Sequence, residues 1–207
     1  MARASRLLTA ALLIPLRTVA PQAVPSADVP PTITREETAA RRAALAARLD
    51  SGVVVAFGGR NLVHDFTTFY QLPAFRYLTE LNEPDAVLIM VVRGRQAAST
   101  LFLAPIEPRM ALYYGTRTEP ATSLARTGIA GRPLAALAGV LDSLAGTGLP
   151  FYDIPDVETM DFAANDTLTR GQQAMKGLVR RFPDLVPTGP TEGVQQMISA
   201  MQGGVQA

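Results

Sequence analysis

The sequence predicts an α/β fold, a mixed β-sheet flanked by helices, on three observations. Residues 53–57 (VVVAF) and 86–92 (AVLIMVV) are continuous apolar runs, which are typical of strands buried on both faces. Segments with apolar residues at helical spacing alternate with these runs. The chain has 207 residues, 48% of them hydrophobic and 18% charged, which is enough apolar matter for one ordinary domain with its own core.

The N-terminal residues are predicted to be a secretory signal peptide, residues 1–23, followed by a proline-rich spacer, residues 24–33. Arg3 and Arg6 form a short positive head, and the apolar run of residues 7–16 is too short to span a membrane, which needs about 20 residues. We therefore expect a periplasmic or secreted protein that has no contact with the membrane after cleavage. A frayed N-terminal helix on a cytosolic protein is the alternative.

The first helix is predicted over residues 35–49, because Thr34 and Glu37 stand at the spacing of a capping box. The strand of residues 53–57 follows this helix. The Gly58-Gly59 pair ends that strand.

A short helix carrying Phe75, Tyr77 and Leu78 is expected next, and we expect these three side chains to pack in the core. Pro84 cannot continue a helix and restricts Glu83 to extended geometry. The proline therefore separates this short helix from the strand that follows it.

Residues 86–92 and 100–104 are predicted to pair as an antiparallel hairpin, because the connection around Gly94 is short. The later elements are predicted in the order helix, strand, helix, edge strand and helix, at residues 132–145, 151–154, 167–182, 185–187 and 192–201. The folded domain is then expected over residues 34–190, and residues 191–207 are expected to be a truncated linker helix or tail.

Composition excludes several classes of protein. The net charge of +1 disfavours a nucleic-acid binder that acts by bulk electrostatics. The chain has no Cys and a single His, so disulfide scaffolds, thiolate zinc sites, cysteine nucleophiles and sites with two imidazoles are excluded. Lys176 is the only lysine among 19 basic residues, which we interpret as the bias of a GC-rich genome and not as arginine chemistry.

Few side chains in the sequence indicate catalysis. There is no glycine-rich phosphate-binding motif and no G-x-S-x-G nucleophile motif. His64 beside Asp65 leaves a hydrolase of the Ser/His/Asp kind open, although a hydrogen-bonding surface His is the simpler interpretation. An acidic group in the C-terminal half fits a solvated loop better than a hard-cation site, because its spacing does not match an EF-hand loop; its members are Asp153, Asp156, Glu158 and Asp161.

Two stretches of the sequence resemble one known family. Residues 75–86 read FRYLTELNEPDA, and residues 101–117 read LFLAPIEPRMALYYGTR. The first resembles the Phe-x-Tyr-Leu-Thr-Gly-Phe-x-Glu-Pro-x-Ala segment of the N-terminal, creatinase-like domain of Xaa-Pro aminopeptidases (aminopeptidase P) and prolidases, with Glu80 and Leu81 where the family often has Gly and Phe. The second is similar to that domain's strand, acidic-Arg turn, aromatic pair, Gly and Arg. The likeness extends over residues 34–188 and implies a ribonuclease H-like fold.

The resemblance implies the N-terminal accessory domain of a secreted, manganese-dependent Xaa-Pro aminopeptidase that contributes subunit contacts and restricts the substrate entrance. In the family a second domain of pita-bread fold holds two manganese ions through two Asp, one His and two Glu, and these 207 residues do not include it. We therefore assign no catalytic residue, metal ligand or cofactor to this chain and predict that it is inactive alone. The implied partners are its own catalytic domain or a neighbouring subunit, and proline-containing peptides. A freestanding, non-catalytic periplasmic binding or assembly domain is the alternative.

Three residues follow from the resemblance as candidate substrate-binding residues: Tyr113, Tyr114 and Arg117. In the family the aromatic residue at this place can lean toward the active site of a neighbouring subunit. Adjacent aromatic residues face different ways, so one of the two tyrosines can be buried and the other presented. The segment of residues 108–117 is also unusually apolar for a surface connection, which is typical of a segment that meets a partner. Ordinary packing of both tyrosines is the alternative.

Overall fold

The computed structural model describes residues 32–60, 69–105, 116–154 and 170–183, the side chains of residues 153 and 170–172 excepted. All elements given below belong to the unit Ile33–Ala207; of the unit Met1–Thr32, only Thr32 is described. The predicted signal peptide, most of the predicted spacer and everything predicted after residue 183 lie outside the described residues. Within the described ranges, no helix is both long enough and apolar enough to cross a membrane.

Five strands form a mixed sheet in the order β4-β3-β2-β1-β5. The strands are β1 (Gly52–Phe57), β2 (Val87–Arg93), β3 (Gln96–Leu103), β4 (Ala130–Pro133) and β5 (Phe151–Asp153). The pairs β1–β2 and β2–β3 are antiparallel, whereas β3–β4 and β1–β5 are parallel. The predicted mixed sheet is confirmed, with the two apolar runs as the neighbouring strands β1 and β2.

Helices cover both faces of this sheet. They are α1 (Arg35–Arg48), α2 (Pro73–Thr79), α3 (Pro120–Thr127), α4 (Leu137–Ala145), which follows a 3-10 turn at Leu134–Ala136, and α5 (Arg170–Arg181). Leu45 of α1 and Phe75 of α2 pack in the core on one face. Leu141 of α4 and Leu178 of α5 pack in the core on the other face. The predicted layers of sheet and flanking helices are therefore confirmed.

The alternation of side chains along β1 divides the two cores. Val54 and Ala56 belong to the core that α1 and α2 cover, and Val53, Val55 and Phe57 belong to the core that α4 and α5 cover. All five side chains are buried. A strand with both faces covered needs apolar residues at every position, which explains the continuous apolar run in the sequence.

Helix α1 begins at the residue that the sequence predicts, Arg35, with Thr34 as its N-cap. The side-chain oxygen of Thr34 accepts a hydrogen bond of 3.2 Å from the backbone N–H of Glu37. The carboxylate of Glu37 pairs with Arg41, one turn further along the helix. The helix ends at Arg48, because Leu49 already has an extended backbone.

The predicted hairpin is confirmed, and its second strand is longer than predicted. β3 begins at Gln96, which lies opposite Arg93 of β2. Gly94 (φ 55°) and Arg95 (φ 64°) form the turn, with the positive φ at both positions that a two-residue type I′ turn requires. Residues 96–100 (QAAST) are polar, small and exposed or half-buried, so the sequence carries no apolar signal for this half of the strand.

The prediction of one helix over residues 132–145 is wrong at its N-terminal end. Residues 130–133 form the edge strand β4, which runs parallel to β3, and α4 begins only at Leu137. Pro133 has φ −59° and ψ 139°, an extended backbone that a helix starting at Arg132 would not allow. A proline is tolerated here because β4 lies at the edge of the described sheet.

Helix α3 has no counterpart in the sequence prediction. Its boundary signals are Glu119 as N-cap, Pro120 at the first helical position and Gly128 with φ 73° as C-cap. The helix buries only Ser123 and Thr127. Because its buried side chains are polar, it shows none of the apolar periodicity on which the prediction of helices depends.

Candidate functional site

Gln71 holds the Glu-Pro segment after α2 against the end of β1. Its side chain is buried, and Oε1 accepts hydrogen bonds from the backbone N–H groups of Gly59 (2.6 Å) and Leu72 (2.9 Å). Nε2 donates to the carbonyl oxygens of Leu81 (3.3 Å) and Glu83 (2.8 Å). Both ends of the buried amide are therefore satisfied, as a polar group in a core requires.

Gly58 and Gly59 allow this close approach. A Cβ at Gly58 would lie 3.0 Å from the carbonyl oxygen of Ala86 and 3.1 Å from Gln71 Oε1. The N–H of Gly58 donates to the Ala86 carbonyl at 2.8 Å, and the Gly59 carbonyl accepts from the N–H of Asp85 at 2.9 Å. The glycine pair thus ends the strand and also leaves the space that Gln71 and the Glu-Pro segment occupy.

The carboxylate of Glu83 contacts Thr118, which lies 35 residues later in the chain. Both carboxylate oxygens lie 2.8 Å from the backbone nitrogen of Thr118, and Oε1 also accepts a hydrogen bond of 2.6 Å from its hydroxyl. Arg126 Nη1 lies 4.0 Å from the same Oε1. The Glu83 side chain is 16% exposed and Thr118 is 1% exposed, so these charge-assisted hydrogen bonds are largely screened from water.

These residues form part of the wall of a cleft of about 600 Å³, here called the Glu83 cleft. Its wall comes from the start of α1, the end of α2, the Glu-Pro segment, the segment before α3 and the end of α3. The lining residues are Ile33, Thr34, Arg35, Thr38, Phe69, Thr79, Glu80, Leu81, Asn82, Glu83, Pro84, Thr116, Arg117, Thr118, Arg126 and Thr127. A cleft of this volume is large enough for a small ligand or a short piece of chain.

The Glu83 cleft carries both signs of charge, because three arginines and two glutamates line it. Arg35 Nη1 donates a hydrogen bond of 2.7 Å to the carbonyl of Ala125 and so joins the start of α1 to α3. Arg117 is half-buried in the wall, and Arg126 lies beside Glu83. With guanidinium, carboxylate, hydroxyl and amide groups in one cleft, the arrangement suits a polar chain such as a peptide.

The first turn of α1, which borders the cleft, favours an ionised carboxylate. The pKa of Glu36 is lowered from its ordinary value, mainly by the hydrogen bond from its own backbone N–H and next by the hydroxyl of Thr34. The positive charge of Arg35 acts in the same direction more weakly. Backbone N–H groups at a helix N-terminus stabilise negative charge in this way.

The structure describes one of the three predicted substrate-binding residues. Arg117 lies on the wall of the Glu83 cleft. Tyr113 and Tyr114 lie outside the described residues, as does His64. Of the predicted acidic group, only Asp153 is placed, as the last residue of β5. Among the residues with described side chains, no three His, Asp or Glu come together to hold a metal ion.

Sequence reasoning missed the roles of Gln71 and Thr118 and gave Glu83 only a backbone role before Pro84. The Glu-Pro dipeptide was visible as part of a motif, and this was the one available signal. No local pattern indicates that the Glu83 carboxylate binds a threonine 35 residues away, because that contact depends on how the two segments pack.

Comparisons with known proteins agree with this fold. Residues 38–148 match the family model described as aminopeptidase P, N-terminal domain. A search of curated proteins gave no significant match. Zinc-substituted Escherichia coli aminopeptidase P, solved in complex with product, is similar over 73% of this chain and 33% of its own, with a TM-score of 0.61 and 18% identity.

Two further solved structures give the same result. Escherichia coli aminopeptidase P with the inhibitor Pro-Leu has a TM-score of 0.59 and 18% identity, over 73% of this chain and 33% of its own. A candidate aminopeptidase P from Bacillus anthracis has a TM-score of 0.64 and 17% identity, over 79% of this chain and 40% of its own. The creatinase-like fold expected from the sequence is thereby confirmed. The chain spans only about a third to two fifths of the length of these proteins.

Proposed function

Because the chain belongs to the family of aminopeptidase P N-terminal domains, we propose that it is the accessory domain of a secreted, manganese-dependent Xaa-Pro aminopeptidase. In this role it contributes contacts between subunits and restricts the entrance through which proline-containing peptides reach the active site. The two manganese ions belong to a separate catalytic domain, which is the partner of this one. The described side chains of this chain do not offer the cluster of carboxylates and imidazole that such ions need.

The observation that carries the proposal is the position of Arg117 on the wall of the Glu83 cleft. Arg117 is the last residue of the stretch that resembles the family's aromatic pair, Gly and Arg. A guanidinium group can bind a carboxylate or a peptide carbonyl with two parallel hydrogen bonds, which favours recognition of a peptide. The Escherichia coli enzyme solved with the inhibitor Pro-Leu, a dipeptide, supports a peptide as the ligand of that relative.

The described lining of the cleft favours binding over bond cleavage. It contains threonine hydroxyls, arginines and glutamates, but no His or Cys that would activate a nucleophile. Of the two glutamates in the lining, Glu83 is already engaged by Thr118 and Glu80 pairs with Arg76. A domain with this lining can therefore orient or exclude a peptide while another domain supplies the chemistry.

The central experiment measures Mn²⁺-dependent cleavage of an Xaa-Pro peptide by the 207-residue chain alone and by the chain joined to a catalytic domain of the family. We expect no cleavage by the chain alone and cleavage by the joined protein. In the joined protein, Arg117→Ala is expected to raise KM several-fold while the thermal midpoint stays unchanged. Lys176→Ala is the matched control, because it removes one exposed positive charge from α5, on the other face of the sheet.

Three results would contradict this proposal. Cleavage by the chain alone that a chelator abolishes would mean that the chain holds a catalytic site of its own. Equal KM values for Arg117→Ala and Lys176→Ala would remove Arg117 from the substrate entrance. Peptide binding by the free chain, with no effect of either variant on the joined protein, would favour the freestanding binding domain instead.

Secretion is tested independently of activity. We expect the chain purified from the periplasm to be shorter than the full sequence by about the length of the predicted signal peptide. Mass spectrometry of the purified product measures this difference. A product that stays in the cytosol at full length would contradict the predicted signal peptide and leave the accessory role untouched.

A further inference from the structure

The backbone of Glu83 is anchored to the end of β1. Its carbonyl accepts a hydrogen bond of 2.8 Å from Gln71 Nε2, and Gln71 Oε1 accepts from the N–H of Gly59. Two residues later, the N–H of Asp85 donates to the carbonyl of Gly59. These hydrogen bonds hold the backbone of Glu83 in place against the sheet, and its side chain extends toward the segment that precedes α3.

That segment has no secondary structure of its own. Residues 116–118 belong to no helix or strand, so neither a strand ladder nor a helical turn fixes their backbone, and Glu119 is the N-cap of α3. The N–H and the hydroxyl of Thr118 both donate to Glu83, and Thr118 is almost fully buried. Helix α3 begins directly afterwards with Glu119 as its N-cap, and Arg126 of that helix approaches the same carboxylate.

We infer that Glu83 is a positioning residue, whose carboxylate fixes Thr118 and thereby places Arg117 on the wall of the cleft. A carboxylate suits this role because it accepts several hydrogen bonds at once and attracts Arg126, whereas an amide offers one acceptor oxygen and turns an NH₂ group toward the donors. The inference that Glu83 fixes the position of Thr118 rests on the observed hydrogen bonds alone. The effect of this contact on peptide entry rests on the proposed function.

The first experiment measures amide hydrogen exchange at Thr118 in the 207-residue chain by NMR. In Glu83→Gln, exchange at Thr118 is expected to rise about tenfold or more relative to the parent, because a charged hydrogen-bond acceptor is lost. Thr118→Ser keeps both donors and is expected to exchange like the parent, whereas Thr118→Val loses the hydroxyl and exchanges faster. Asp142→Asn is the matched control: it also neutralises a carboxylate, one that pairs with Arg181 on the other face of the sheet.

Unchanged exchange at Thr118 in folded Glu83→Gln would overturn the inference, and so would equal exchange in Thr118→Ser and Thr118→Val. If Glu83→Gln fails to fold, the comparison of Thr118→Ser with Thr118→Val tests the inference, because both variants leave the Glu83 carboxylate in place.

The second experiment measures peptide cleavage in the chain joined to a catalytic domain. Glu83→Gln is expected to raise KM with little change in kcat, whereas Thr118→Ser and Asp142→Asn are expected to keep the parental KM. Faster exchange at Thr118 together with an unchanged KM would confirm the positioning role and contradict the proposed role at the substrate entrance. The two ideas can therefore fail separately.

Discussion

Arg42 Nη1 donates a hydrogen bond of 2.8 Å to the carbonyl oxygen of Leu78, which joins α1 to the C-terminal end of α2 across 36 residues of sequence. The Arg42 side chain is buried, and burial lowers its pKa from the usual value. The last carbonyls of a helix have no partner within the helix and carry partial negative charge. A buried guanidinium at this point therefore satisfies a carbonyl that would otherwise be left without a donor.

The neighbouring arginine repeats the arrangement with a side chain that is only 10% exposed. Arg41 Nη1 donates to the carbonyl of Tyr77 at 3.1 Å, and its guanidinium lies 4.4 Å from the centre of the Tyr77 ring. The interpretation of the high arginine content as genome bias stays a prediction, although these two arginines make specific contacts. Arg41 uses the planar, multiply donating group that lysine lacks, because it donates from Nη1 to Tyr77 and from Nη2 to Glu37.

The first prediction concerns Arg42→Ala. We expect the free energy of unfolding to fall by about 2–3 kcal/mol, because a buried hydrogen bond from a charged group is lost and the Leu78 carbonyl stays buried without it. Arg95→Ala is the control, since Arg95 is an exposed hairpin residue whose ion pair with Asp50 is worth less than about 1 kcal/mol. Urea denaturation measures both variants. Equal midpoints would mean that Arg42 does not stabilise the packing of α1 on α2.

Glu80 occupies a position that favours glycine. It is the C-cap of α2 and has φ 54°, a left-handed conformation that costs a residue with a Cβ about 1 kcal/mol or more. The related domains often have Gly here, and the structure gives the physical reason. The carboxylate of Glu80 makes an exposed pair with Arg76 at 3.3 Å, which offsets a part of this strain.

The second prediction compares Glu80→Gly with Glu80→Ala. Both variants lose the pair with Arg76, but only the glycine relieves the left-handed backbone. We expect Glu80→Gly to be more stable than Glu80→Ala by about 1 kcal/mol in urea denaturation. An alanine variant as stable as the glycine variant would contradict the argument from backbone strain.

The sequence predicted the centre of the sheet because its physical signal is local. Residues 53–57 of β1 and 87–90 of β2 are buried on alternating faces that are both covered, so each of these positions has to be apolar. β4 and α3 lie at the sheet edge and bury few apolar groups, and their place was set by packing and by single boundary residues such as Pro133 and Gly128.

The candidate site is harder to predict from the sequence than the sheet. Arg117 was identified through a resemblance between sequences, and the structure places it on the cleft. Gln71 and Thr118 were missed because their partners lie up to 35 residues away, in segments whose proximity depends on the whole fold. A buried polar residue gives no sequence signal of its own until its partners are known.

The third prediction concerns pH and Glu36. Because its pKa is lowered in the folded protein, the ionised carboxylate stabilises the fold at pH values above the pKa of the unfolded chain. This contribution is lost as the pH falls through the lower pKa of the folded state. We therefore expect Glu36→Gln to be less stable than the parent at neutral pH and equally stable in acid, in denaturation curves measured at both pH values. A difference that persists unchanged in acid would contradict this linkage.

The fourth prediction tests the placement of β1. Val55 lies between Ile89 of β2 and Asp153 of β5 in the sheet register, and its side chain is fully buried against α4 and α5. Val55→Asp is expected to lower the free energy of unfolding by about 3–5 kcal/mol, because it places an uncompensated charge in the core. Ala98→Asp is the matched control, since Ala98 is exposed on β3 and an aspartate there should cost less than about 1 kcal/mol. If the two aspartate variants unfold at the same urea concentration, Val55 is not a core residue and the register of β1 is wrong.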